Sequence, residues 1–247
     1  MKPIHHNFCR NCRENGIRGG SMDIGEIFGD SLEYPSRELK RVVALGIVFL
    51  FSILIIPVFL LLGYALRIIR KTMEGENEPP AFDELGAMFV DGLKYLVVGI
   101  IYFLIPWILI GMGIMSAIAS IPSYDLMGLG ASTITILTGS GLFLLGVLVA
   151  IVITVIANIG IANMAHKGEL GAAFRFGEIL SIIGSIGWGK YIVWYIVLIV
   201  IAMLFLVVGV LVQLIPLLGA IVYILLIGPY LTMFQYRAIA LIYREGI

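Results

Sequence analysis

Apolar residues fall into five long runs, at roughly 42–66, 93–119, 140–164, 190–215 and 217–241, with short charged stretches between them. A helix rises 1.5 Å per residue, so about 20 residues cross the ~30 Å hydrocarbon core of a bilayer. Each run reaches that length, and none carries Asp, Glu, Lys or Arg in its central part. A transmembrane β-barrel would need apolar and polar residues to alternate along strands of about ten residues. Stretches such as Val147–Ile153 show no alternation. The pattern therefore predicts an all-α fold, a polytopic transmembrane helical bundle.

The first run poses a choice, because both its ends are basic. Arg37, Lys40 and Arg41 precede it, and Arg67, Arg70 and Lys71 follow. Cytoplasmic loops are enriched in Lys and Arg. The 120–139 loop and the tight 213–219 connection contain neither, so both are expected outside. The 67–94 loop, the 165–190 loop and the C-terminus are then cytoplasmic. A single kinked crossing of the first run would leave the basic N-terminal residues outside. A hairpin at Pro57, with legs 36–56 and 57–73, would bring every Lys and Arg inside. Proline can open a helix, since the first helical position has no N–H to lose. "LIIPVF" lacks a Gly or Asn to ease the turn, and a proline kink also explains Pro57. Charge tips the balance to the hairpin, giving six helical segments with both termini cytoplasmic.

The two basic loops resemble each other. The first runs Gly75-Glu76, Ala81-Phe82, Leu85-Gly86, Met88-Phe89, then Gly92 to Tyr95; the second runs Gly168-Glu169, Ala173-Phe174, Phe176-Gly177, Ile179-Leu180, then Gly189 to Tyr191. Arg244–Gly246 could open a third copy. Such repeats occur in transporter folds and also arise from plain duplication of a hairpin. In each loop the middle is amphipathic. Leu85, Met88 and Phe89 oppose Asp83, Glu84 and Asp91, while Leu170, Phe174 and the 179–183 segment oppose Arg175 and Glu178. Two short interfacial helices are expected there, with Lys94-Tyr95 and Lys190-Tyr191 anchoring the next spans at headgroup level.

Residues 1–35 are polar and Gly-rich and read as a disordered N-terminal extension, leaving 36–247 as one transmembrane domain. No apolar core of a secretory signal occurs near the start. Met22 opens a more natural N-terminus than Met1, so residues 1–21 are expected to be an extension. His5, His6, Cys9 and Cys12 could together ligate zinc. Compressed into one short segment with no distant second half, they are expected to be unstructured tail, and no metal or other cofactor is expected. Only 13% of residues are charged, against about 25% in soluble domains. No basic face suited to nucleic acid is visible.

The segment from Leu54 to Pro106 resembles the prokaryotic, largely archaeal, polytopic membrane proteins classed as domain of unknown function 4013. The residues that carry the likeness are Gly63, Tyr64, Arg67, Gly75, Glu76, Pro79, Pro80, Phe82, Asp83, Phe89, Gly92 and Lys94. It is specific over about fifty residues, looser over the rest from Met22, and absent from 1–21. It implies a multi-span membrane protein in a cell membrane and lends no activity. Read on their own terms, Pro79-Pro80 stiffen the loop and Asp83 is placed to cap the following helix. Alternatively, Arg67, Asp83, Asp91 and Lys94 form a cytoplasmic ligand or gating cluster.

An ionisable residue near the midplane would mark a functional site, and none is present. The polar candidates within the runs are Thr154, Asn158, Asn163, Gln213 and Gln235, with His166 at a span end. Thr154 and Asn158 share a helix face and are expected to bond a neighbouring helix. Gly113/Ala117 and Ser116/Ser120 suit close helix packing, and Gly228-Pro229 should break or kink the last span. No H-E-x-x-H, G-x-S-x-G or P-loop occurs, so an enzyme is not expected. Two functions remain: a non-enzymatic scaffold or accessory component that packs against lipids, further copies or other membrane proteins, and a small permease or channel subunit whose pore forms on oligomerisation.

Overall fold

The computed structural model describes residues 22–119 and 133–247; His5, His6, Cys9 and Cys12 lie outside the described residues. All regular structure among the described residues is helical. In chain order the helices are α1 (Ile24–Glu33), α2 (Leu39–Leu50), α3 (Ile55–Met73), α4 (Leu85–Ala119), α5 (Thr133–Lys167), α6 (Phe176–Ile186), α7 (Trp188–Val212), α8 (Leu218–Val222) and α9 (Gly228–Arg244). Among the described residues, four helices are long and apolar enough to cross a membrane: Leu85–Ile118, Leu137–Lys167, Trp188–Val212 and Leu218–Arg244.

The first run doubles back, as its charges suggest. Residues 34–37, just before α2, lie beside the loop that leaves α3: Tyr34 donates to the carbonyl of Glu78 (3.2 Å) and Arg37 to that of Asn77 (3.0 Å). The turn is not at Pro57, however. It falls at Phe51–Leu54, where a single 3-10 turn ends in extended backbone at Leu54. Pro57 sits in the first turn of α3, where its missing N–H costs nothing. At 1.5 Å per residue the legs are only about 18 and 28 Å long. The hairpin is thus a short leg laid against a long one.

Close backbone approach holds the long helices together. A Cβ on Gly63 would stand 2.7 Å from the Met88 carbonyl carbon, and one on Gly92 would stand 2.6 Å from that of Phe59. These reciprocal contacts fix the α3–α4 crossing. At the opposite end of α4, Gly113 abuts Phe143 and the Gly139 carbonyl of α5, so the small residue expected to pack closely does so. The last span is not broken at Gly228-Pro229. A π turn at Tyr223–Ile227 joins α8 to α9 without interruption. Pro229 cannot return an N–H to the Leu225 carbonyl, and Gly46 of α2 packs against that residue, its absent Cβ 2.6 Å from the Leu225 Cα.

Packing is concentrated at the charged end. On α9, Met233, Phe234 and every residue from Arg237 to Tyr243 are buried, which makes it the central helix. By contrast α7 buries only Tyr191, Trp194, Leu198 and Gly209. Leu204, Val207 and Leu211 further along it are exposed. That is the surface expected where hydrocarbon replaces protein as the neighbour.

Two expectations are corrected. The first amphipathic segment is not a separate interfacial helix but the start of α4, and Met88 is buried at the α3 crossing rather than turned to lipid. The second does form a short helix, α6, yet Ile179, Ile182, Ile183 and Ile186 face the bundle. Nor is the region before residue 36 loose polar chain throughout. From Ile24 it is helical, with Ile27 and Phe28 inserted into the core beside Trp194 and Phe234.

Candidate functional site

The residues that carried the family likeness assemble around one loop, 74–84. Gly75, at φ +88°, ends α3: its N–H reaches the Thr72 carbonyl (3.1 Å) and that of Glu76 reaches Lys71 (3.0 Å). This double bond pattern needs a left-handed residue, hence glycine. Gly168 at φ +73° also ends α5, through a single bond from its N–H to the Met164 carbonyl (2.8 Å), so the repeated Gly-Glu pair is a helix stop at both places with different bonding. Gly246 is not a third, since its φ is not positive.

Beyond the stop, Pro79 and Pro80 are buried and the loop lies back on α3. The Tyr64 hydroxyl donates to the Pro80 carbonyl (3.0 Å), and its ring stacks on Phe82 at 4.4 Å and 4°. Arg67 donates to the carbonyls of Ala81 (3.1 Å) and Asp83 (2.7 Å) and pairs with the Asp83 carboxylate. Asp83 is therefore not shown capping α4. The first helical bond runs from Met88 N–H to the Glu84 carbonyl, and Glu84 itself takes φ +48°. Lys94 pairs with Asp91, which Arg70 also contacts, each at 3.2 Å. Arg67/Asp83 ties the loop to α3, whereas Arg70/Asp91/Lys94 ties α3 to α4; among the described residues no hydrogen bond or ion pair joins the two groups.

A buried polar centre forms around a residue that the sequence pattern had not singled out. Arg237 of α9 is 3% exposed. Its Nε donates to Asp30 Oδ2 (2.8 Å), Nη1 to the Glu76 carbonyl (2.6 Å) and Thr72 Oγ1 (3.1 Å), and Nη2 to Asn77 Oδ1 (3.0 Å). The guanidinium carbon lies 4.7 Å above the centre of the Tyr34 ring. Arg37 takes the other Asp30 oxygen at 2.7 Å. Burial alone would raise the Asp30 carboxyl, but the flanking Arg237 and Arg37 outweigh it and hold it below its ordinary range. Burial also pushes the Tyr34 phenol up to about 12. A charge this deep survives only when paired and hydrogen-bonded. The signal in the sequence was a lone arginine inside an apolar run, flanked by Tyr236 and Ala238.

The second loop is latched by Asn163, fully buried. Its amide donates to the Ala172 carbonyl (3.0 Å) and accepts from the Tyr243 hydroxyl (2.8 Å). His166 lies beside the Tyr243 ring. Lys167 pairs with Glu178, and Arg175 with Glu169. Lys190 pairs with Glu245 at 2.9 Å, and Glu245 also accepts the Met22 N–H at 2.9 Å.

The two intramembrane candidates, Thr154 and Asn158, lie side by side on α5 and line one opening. Thr154 donates to its own helix, at the Ala150 carbonyl (2.7 Å). The Asn158 side chain has no hydrogen-bond partner among the described residues. It lines a cavity of about 230 Å³ between α5, α7 and α9, with Thr154, Tyr195, Gln235 and Tyr236.

Paired charges gathered at one end of four membrane-length apolar helices define a multi-pass helical membrane protein. Its chain belongs to a family described as protein of unknown function (DUF4013), whose profile matches residues 46–217. The matched region takes in α3, α4, both loops and α7. No curated protein and no solved structure matches the chain.

Proposed function

We propose that the protein is a non-enzymatic structural or accessory component of a cell membrane, with its charged end on the cytoplasmic side. The observation that carries this reading is Arg237. Four of its five N–H donors are taken by groups of its own chain. A cation that served a substrate or a coupling ion would keep a donor aimed at water or at a ligand. The other charges that reach into the fold are likewise paired with opposite charges of the same chain: Asp30 with Arg237 and Arg37, Arg70 with Asp91, and Lys190 with Glu245. They make the first helix, both loops and the C-terminus into one rigid cap. The apolar flank of α7 offers the surface on which a second copy or another membrane protein packs.

The test is reconstitution into sealed liposomes. The expected result is that potassium and glycerol cross no faster than through empty vesicles, while a photo-crosslinker at Leu204 traps one discrete protein partner in native membranes. A flux that changes with Asn158→Leu or Gly228→Leu would instead favour a permease or channel subunit.

A further inference from the structure

We infer that the cavity between α5, α7 and α9 is a lipid-binding site that receives the linkage region of a membrane lipid, where headgroup meets hydrocarbon chain. Asn158 and Gln235 both line it, and neither amide has a hydrogen-bond partner among the described residues. An amide left unpaired in a bilayer is costly, so these two point to an occupant that supplies the missing partners. The phenol of Tyr195 stands on the same wall. Together they offer N–H and O–H donors to oxygens and carry no charge, which suits ester or ether oxygens rather than a phosphate.

Depth agrees with this. Asn158 lies nine residues inside Lys167, Tyr195 five inside Lys190, and Gln235 two inside Arg237. At 1.5 Å per residue these are about 13, 8 and 3 Å below the charged layer. That interval begins at the headgroup boundary and ends in the upper chain region. Two bonds join the helices on the charged side of these residues, Tyr191 hydroxyl to the Val155 carbonyl and Tyr95 to the Tyr236 hydroxyl (2.7 Å). Ile199 on its rim is 37% exposed, and beyond it α5 shows Ile151 and Val152 and α7 shows Met203. A volume of about 230 Å³ is small for a whole ligand, since pockets that enclose one run to about 300–1,000 Å³. It fits the linkage and first methylenes of a lipid whose chains continue along α7. The site stands whether or not the protein also recruits partners.

The experiment uses the full chain in detergent and a phosphatidylglycerol carrying a photoactivatable diazirine beside the glycerol ester, with adducts mapped by mass spectrometry. Adducts are expected to concentrate on the 154–158 and 195–202 segments and to be competed by unlabelled phosphatidylglycerol. The Asn158→Leu/Gln235→Leu double variant should lower them about tenfold, the loss expected from two membrane hydrogen bonds. If that variant no longer melts cooperatively, Ala202→Leu, which narrows the cavity without touching a polar group, should give the same loss. Labelling spread evenly over the outward faces, labelling unchanged by both variants, or equal competition by free glycerol would each overturn the assignment. The last would mean that the cavity takes a small solute.

Discussion

Gly63 of α3 lies against the backbone carbonyl of Met88 on α4, with no room for a side chain between them. Gly92 does the same to Phe59. Two helices this close exchange dispersion contacts along the backbone itself, the main attraction available where lipid offers no hydrophobic drive. Gly63→Ala and Gly92→Ala are each expected to destabilise by about 1–3 kcal/mol or more through overpacking. Gly99 of the same helix has nothing within 4 Å of its absent Cβ, so Gly99→Ala should change stability little. Thermal melting of the three variants in one detergent checks the contrast.

Removing the Arg237 side chain leaves Asp30 Oδ2, Thr72 Oγ1, the Glu76 carbonyl and Asn77 Oδ1 without this donor, and Asp30 with Arg37 alone. Arg237→Met should cost about 3–5 kcal/mol, as for other buried pairs broken on one side. Asp30→Asn should cost less, because an amide still accepts from Nε. The double variant should show strong non-additivity with the single ones. Additive effects would mean that the two residues do not share a network.

Acid should weaken the cap through Asp30. Its carboxyl titrates below the ordinary value of 3.8, so the unfolded chain takes up that proton first as pH falls. The stabilisation is full above the unfolded value and is lost as pH drops through the folded one. Melting temperature should therefore fall below about pH 4, with a shallower acid limb in Asp30→Asn. Equal limbs in the two proteins would contradict the shift.

The hold that Tyr64 of α3 has on the loop can be split into its two parts. Tyr64→Phe keeps the stack on Phe82 and loses the bond to Pro80, at about 1 kcal/mol. Phe82→Ala removes the ring and should cost more, with a coupling to Tyr64 of about 0.5–1.5 kcal/mol. Limited proteolysis at 74–84 should rise in the same order.

The hairpin is tested by accessibility. Single cysteines at Ser36 and Ile247 should label from the same face of sealed vesicles. Labelling of Ser36 from the opposite face would restore a single crossing of the first run.

Much of this was readable without coordinates. The apolar runs marked out the helices, and the basic residues on both sides of the first run tipped the balance toward a turn over a single kinked crossing. What they could not give was the position of the turn. Pro57 is the conspicuous residue, yet a proline is tolerated in a first helical turn, and the break came earlier, at Phe51–Leu54. Amphipathicity misled in a similar way. The apolar faces of 85–89 and 176–186 are real, but a periodic pattern does not say whether lipid or protein will cover it. Thr154 and Asn158 share a face as expected, and both line the cavity between α5, α7 and α9.

The sequence alone settles the solvent of each segment, because the free energy of moving a side chain from water to hydrocarbon is a local property that adds up along a run. Helicity then follows, since a backbone in lipid must bond to itself. Pairing is another matter. Arg237 and Asp30 are 207 positions apart, and nothing in either neighbourhood names the other. Their meeting depends on where α1, the 74–84 loop and α9 come to rest together. Only the tertiary structure decided that, and with it which polar groups lock the fold and which two amides are left facing an opening.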